Sequence, residues 1–136
     1  MKYSYEDWNQ WYNTTSPMNP NGNEELFWAA LENMIIHITL RDQGNDRDDL
    51  QQELRIRAMY CLNKRDDSKG LKEFMKYLLR SLELEKIKFF YTTGAKYYDR
   101  KLLALLNTLG LNPHSISFHT DIEELLESDM EIPYEN

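Results

Sequence analysis

An all-α fold, a compact bundle of four to five helices, is the class this chain predicts, on three observations. Apolar residues recur at i, i+3 and i+4 over several long stretches. Only four Pro and five Gly interrupt 136 residues. Hydrophobic residues make up 41% of the chain, enough for the core of one domain with an extension or two.

Residues 1 to 23 read as an aromatic N-terminal arm. Tyr5, Trp8, Trp11 and Tyr12 have helical spacing, with Tyr3 ahead of them and a Ser-Pro-Met-Asn-Pro-Asn-Gly-Asn breaker behind. A short amphipathic segment packed on the core is expected before a partner-binding arm. Disorder is disfavoured, because disordered segments are poor in aromatics.

The first long helix is expected from Glu24 to about Arg41, with Asn23 as N-cap and Glu24 and Glu25 at its positive end. Leu26, Phe27, Ala30, Leu31, Met34, Ile35 and Ile38 cover much of its circumference, which places it centrally. His37 reads as a surface or satisfied core histidine, since no other His or Cys stands at metal spacing from it.

Asp42 to Asp46 reads as a turn, with Asn45 or Asp46 capping a second helix that ends near Asn63. Leu50, Leu54, Ala58 and Cys61 share one side of that helix, a stripe that must be buried. Asp49, Gln52, Glu53, Ile56 and Tyr60 share another. An ordinary solvated face is the commoner meaning of such a pattern. Ile56 and Tyr60 among the acids also suit a face that docks a partner.

The longest helix takes Ser68 as N-cap and carries Leu71, Phe74, Met75, Leu78, Leu79 and Leu82, extended by Ile87, Phe89 and Phe90. Its twenty-odd residues span roughly 30 Å, and Thr92-Thr93-Gly94 ends it. Its opposite face bears Lys69, Lys72, Lys76 and Arg80, with Tyr77 and Ser81 beside them.

A fourth helix from Tyr97 to Leu109 stops at Gly110, placed for a left-handed cap, with Pro113 following. Ser115 to Phe118 reads as a short extended segment. Thr120-Asp121-Ile122-Glu123 reads as a capping box opening a last short helix through Leu126. The organisation expected is thus an arm (1–23), a helical domain (24–110), and a short helix with an acidic C-terminal tail (111–136).

The net charge is −7, but it is unevenly placed. Residues 45–101 hold fourteen Lys and Arg against ten Asp and Glu, and the remainder holds two against thirteen. A basic centre between acidic ends keeps contact with DNA open. No apolar run reaches the roughly 18 residues that span a bilayer, and no signal-peptide segment is visible, so a cytoplasmic protein is expected. Cys61, the one cysteine, excludes an internal disulfide and sits on the apolar stripe as a buried thiol. Asn13-Thr14-Thr15 spells a glycosylation acceptor that means nothing without secretion.

Chemistry of the catalytic kind is scarce. His114 and His119 have no acidic pair at ligand spacing, and Glu123, Glu124 and Glu127 read as a solvated acidic face. No phosphate-cradling Gly-rich loop and no Ser-His-Asp or Cys-His motif occurs. The chain is read as a non-enzyme with no cofactor, no metal and no small-molecule substrate.

The run Asp49-Leu50-Gln51-Gln52-Glu53 resembles the D-L-x-Q-E signature in the second conserved region of bacterial sigma factors. Its context is similar over residues 24 to 92: an apolar helix before, a polar loop after, then a long aromatic and basic helix. The resemblance implies a fold like sigma region 2 and a partner, core RNA polymerase, gripped at its clamp helices. Asp49, Gln52, Glu53, Arg55, Ile56 and Met59 are the docking residues carried over. It also implies promoter DNA as a partner within the polymerase complex, met by Lys72, Lys76, Tyr77, Arg80, Ser81, Lys86 and Lys88.

Phe74 matches a family aromatic and reads first as core; Tyr77, on the basic face, is the stacking residue. Ser81 stands where the housekeeping class reads a base with glutamine. Leu78 replaces a family tryptophan, and Glu83 and Glu85 add acids, which implies a divergent promoter or another mode of DNA engagement. No helix-turn-helix pattern follows Gly110. The layout resembles the short, divergent sigma factors of bacteriophages. In those a C-terminal apolar-acidic segment grips the polymerase flap, a role for which Ile122, Leu125, Leu126, Met130 and Ile132 are the matching residues. A last helix folded on the core is the alternative. A helical adaptor or inhibitor of a basic protein partner, with no DNA role, is the second reading of the whole chain.

Overall fold

The computed structural model describes residues 5–40, 44–65, 69–92, 104, 106–112 and 116–127. The fold is all-α: α1 (Tyr5–Tyr12), α2 (Glu24–Ile38), α3 (Gly44–Asn63), α4 (Leu71–Thr92) and α5 (Phe118–Glu127). Among the described residues there is no strand, only an isolated bridge between Ser16 and Asn19.

The aromatic arm is part of the core. Trp8 and Trp11, spaced i, i+3 on α1, are both fully buried. Trp11 lies 5.1 Å from Phe27 of α2 and 5.5 Å from Phe74 of α4, between ring centroids. Three helices therefore meet at one aromatic cluster, where large rings bury the most area per residue. The loop after α1 is tied down: Trp11 Nε1 donates to the Asn21 carbonyl at 2.8 Å, and Arg65 donates to the Pro20 carbonyl at 2.6 Å. Gly22 has φ 61°, and a Cβ there would stand 2.5 Å from Thr14 Oγ1, so only glycine closes this turn.

Asn23 caps α2 as expected, its Oδ1 accepting from the Glu25 and Leu26 amides. The helix stops at Ile38, short of Arg41. Thr39 ends it, its Oγ1 donating to the Ile35 carbonyl at 2.8 Å, while Lys86 Nζ donates to the Ile38 carbonyl. A cation thus meets the negative end of α2.

α3 begins at Gly44, so Asn45 and Asp46 lie inside the helix rather than capping it. Its stripe of Leu50, Leu54, Ala58 and Cys61 is fully buried, as the spacing requires. α4 begins at Leu71, with the Gly70 carbonyl accepting the first helical bond from Phe74. Gly70 therefore stands at the cap position; Ser68, the expected cap, is outside the described residues. Most of the expected fourth helix, Tyr97 onward, is also outside them. Its end is described: Gly110, at φ 72°, donates to the Asn107 carbonyl, and Leu111 donates to the Leu106 carbonyl. Those two bonds make a Schellman cap, closed by buried Leu106 and Leu111.

The extended segment expected at Ser115–Phe118 is not formed where it is described. Ile116 and Ser117 are in a turn, and Phe118 is the first residue of α5. The Asp121 amide donates to the Ser117 carbonyl at 2.8 Å, and Ser117 Oγ to the Asp121 carboxylate. The helix starts two residues before the expected capping box, because burying Phe118 and Ile122 on one face requires a full turn between them.

Candidate functional site

The face of α3 opposite its buried stripe is open. Asp49, Gln52 and Glu53 are exposed, and Ile56, one turn after Gln52, is 65% exposed. Met59 and Tyr60 are half-buried at its far end. The Arg57 guanidinium lies 4.4 Å from the Tyr60 ring centroid and Lys64 Nζ 5.7 Å, so cations flank this aromatic. The face is therefore acidic at its start, apolar at Ile56 and cationic at its end.

Arg55 is directed sideways. Its Nε and Nη2 each donate at 2.8 Å to the two carboxylate oxygens of Glu32 on α2. That bidentate bond raises the Arg55 pKa; burial opposes it, and Glu32 and Asp48 charges add to it. Sequence reading placed Arg55 in the docking set but missed Glu32, because the pair is 23 positions apart. A second tie, Gln51 Nε2 to Thr39 Oγ1 at 2.9 Å, fixes α2 and α3 antiparallel.

On α4 the residues assigned to DNA divide. Lys72 is exposed and Lys76 half-buried, on the outward stripe expected of them. Tyr77 is only 6% exposed, Ser81 is fully buried, and Lys86 is buried with its Nζ on the α2 carbonyl. These three corrections have one cause: α4 is packed on several sides, so positions beside the basic stripe fall in the interior. Tyr77 does not stack on a base, and Ser81 does not reach one, in this conformation. Phe74 is core. Arg80 pairs with buried Glu83 at 3.3 Å.

Lys88 pairs with Glu123 of α5 at 2.8 Å. Burial lowers the Lys88 pKa, but the Glu123 hydrogen bond and the charges of Glu85, Glu123 and Glu53 raise it on balance. Of the flap set, Ile122 is buried against the core, which corrects its placement on a gripping surface. The side chains of Leu125 and Leu126, and all of Met130 and Ile132, lie outside the described residues. His114 lies outside them as well.

Among the described residues no cluster of three His, Cys, Asp or Glu could hold a metal, and no helix is long and apolar enough to cross a membrane. A polar depression of about 370 Å³, lined by Tyr12, Asn13, Thr15, Ser16, Pro17 and Arg65, belongs to the α1–α2 loop. Arg65 is engaged there by Thr15 and Pro20 and lies 5.0 Å from the Tyr12 ring centroid. No protein-family model, curated protein or solved structure matches the chain.

Proposed function

We propose that this protein is a sigma-like transcription-initiation subunit, of the short bacteriophage type, that docks on core RNA polymerase through the outer face of α3 and brings it to promoters. One observation carries the reading: the D-L-x-Q-E run is divided by its helix, with Leu50 sealed in the core and Asp49, Gln52 and Glu53 standing in solvent beside exposed Ile56. A carboxylate-and-amide ridge with an apolar centre suits a cationic helical surface such as the polymerase clamp helices, and opposite charges speed that encounter. The protein acts by binding, in the cytoplasm, without cofactor.

Pull-down with a bacterial core RNA polymerase tests this. Glu53→Arg with Gln52→Ala is expected to weaken retention by an order of magnitude or more, as about 1.4 kcal/mol per decade implies. Undiminished retention would remove the docking role of α3.

The burial of Tyr77, Ser81 and Lys86 favours a second reading, in which the chain binds polymerase or another basic partner as an adaptor or inhibitor without touching DNA. Run-off transcription separates the two. A sigma-like subunit supports initiation at its cognate promoters, through Lys72 and Lys76 on the outward stripe of α4; an inhibitor lowers it.

A further inference from the structure

We propose that α5 is a separable clasp, seated on α4 by one ion pair and two apolar side chains, and that a proton on Glu85 tightens the seat. α5 lifts while α1 to α4 stay closed, so the fold carries a proton-controlled switch in its last described helix.

Phe118 and Ile122 of α5 are buried in the common core, and α4 is the helix on which α5 chiefly packs. The polar contact is Lys88 Nζ to Glu123 at 2.8 Å, with the two side chains 28% and 34% exposed. Glu123 also acts on the carboxyl of Glu85, one turn before Lys88, so α5 lies against the turn from Glu85 to Lys88. Glu53 and Arg57 act on Glu85 from α3. α5 itself brings Asp121, Glu123, Glu124 and Glu127 and no Lys or Arg. The seat therefore sets Glu85 and Glu53 against an acidic helix, with Lys88 and Arg57 as the offsetting cations.

α4 holds this seat beside an enclosed stretch. Ser81, Leu82, Glu83 and Leu84 are all buried, and four consecutive positions go round the whole circumference of a helix. A helix enclosed for good is apolar all round. α4 instead places Glu83, Glu85, Lys86 and Lys88 in and next to this stretch. Glu83 is answered by Arg80 within the helix, and Lys86 by the Ile38 carbonyl of α2. Lys88 is answered by α5, whose lifting returns the Glu85–Lys88 turn to water and removes the charge of Glu123. Burial holds the Glu85 pKa up, Lys88 and Arg57 pull it down, and Glu53 and Glu123 push it up again, to a balance above 4.5. Glu85 thus holds its proton more tightly with α5 seated than with α5 lifted. Its contribution to seating is complete below the ordinary glutamate value and is lost as pH rises through the seated one.

Amide hydrogen exchange of the full chain, followed by NMR at pH 5 and pH 8 and corrected for intrinsic exchange, tests this. The α5 amides from Ile122 onward are expected to be less protected than those of Leu54 and Ala58 in α3, which report the closed core. Their protection is expected to fall severalfold from pH 5 to pH 8. Glu85→Gln, which keeps the Lys88–Glu123 pair, is expected to remove that fall and raise α5 protection at pH 8. Lys88→Gln is expected to lower α5 protection at both pH values and to enlarge the fall, because Glu85 loses a cation that favours its ionised form. Exchange of α5 in step with α3 would overturn the proposal, since α5 would then open only with the whole fold. So would α5 protection that does not change with pH, a fall that Glu85→Gln leaves intact, or a Lys88→Gln chain with the parent's α5 protection.

Discussion

Glu85 carries an ionisation cost that its neighbours do not fully offset. Burial raises its pKa; Lys88 and Arg57 pull it down, while Glu53 and Glu123 push it further up, and the balance lies above the ordinary glutamate value of 4.5. A carboxyl with a raised pKa binds its proton more tightly in the fold than in the unfolded chain. Its contribution to stability is therefore complete below the unfolded value and is lost as pH climbs from there through the folded value. Glu85→Gln is expected to raise the thermal midpoint more at pH 7 than at pH 4. Equal shifts at both pH values would contradict this account. No local pattern announced the position: the carboxylate is costly because packing buries it and brings Glu53 from α3 and Glu123 from α5 toward it, against which Lys88 and Arg57 only partly compensate.

At the scale of elements, helix ends were legible where a cap is made by a residue next to the helix. Asn23 and Gly110 act at the positions their chemistry marks, one by a side-chain oxygen and one by a left-handed backbone. Asn23→Ala is expected to cost about 1 kcal/mol, read as a fall of a few degrees in the thermal midpoint. An unchanged midpoint would mean that the amides of Glu25 and Leu26 find water as readily as Oδ1. Ends set by distant groups were misread. α2 closes at Thr39 with Lys86, from the other side of the bundle, on its last carbonyl. α5 starts early because Phe118 must reach the core. Residues at caps speak locally; residues that terminate a helix by packing do not.

For the whole molecule, the charge split and the burial pattern act together on nucleic acid. The chain is −7 overall, and several basic residues of its centre are committed internally: Lys86 to a carbonyl, Arg80 to Glu83, Lys88 to Glu123. Free duplex DNA is therefore expected to bind weakly, and more weakly still as salt rises, because each phosphate contact releases counterions. A mobility shift on the protein alone checks this; tight, salt-insensitive binding would contradict it, since such binding has to rest on contacts other than to phosphate. The aromatic cluster of Trp8, Trp11, Phe27 and Phe74 makes α1, α2 and α4 one body.

What the residue order determined unaided was periodicity: that the chain is helical, that Leu50, Leu54, Ala58 and Cys61 turn inward, and that Asp49, Gln52, Glu53 and Ile56 turn outward. These follow from the 3.6-residue repeat, which each helix states for itself. Only tertiary packing decided that Tyr77, Ser81, Lys86 and Ile122 are interior, and that Glu32 and Thr39 of the α2 segment meet Arg55 and Gln51 of α3. A single helix has no means of encoding how many neighbours will surround it, and a side chain that is solvated against one partner is sealed against three.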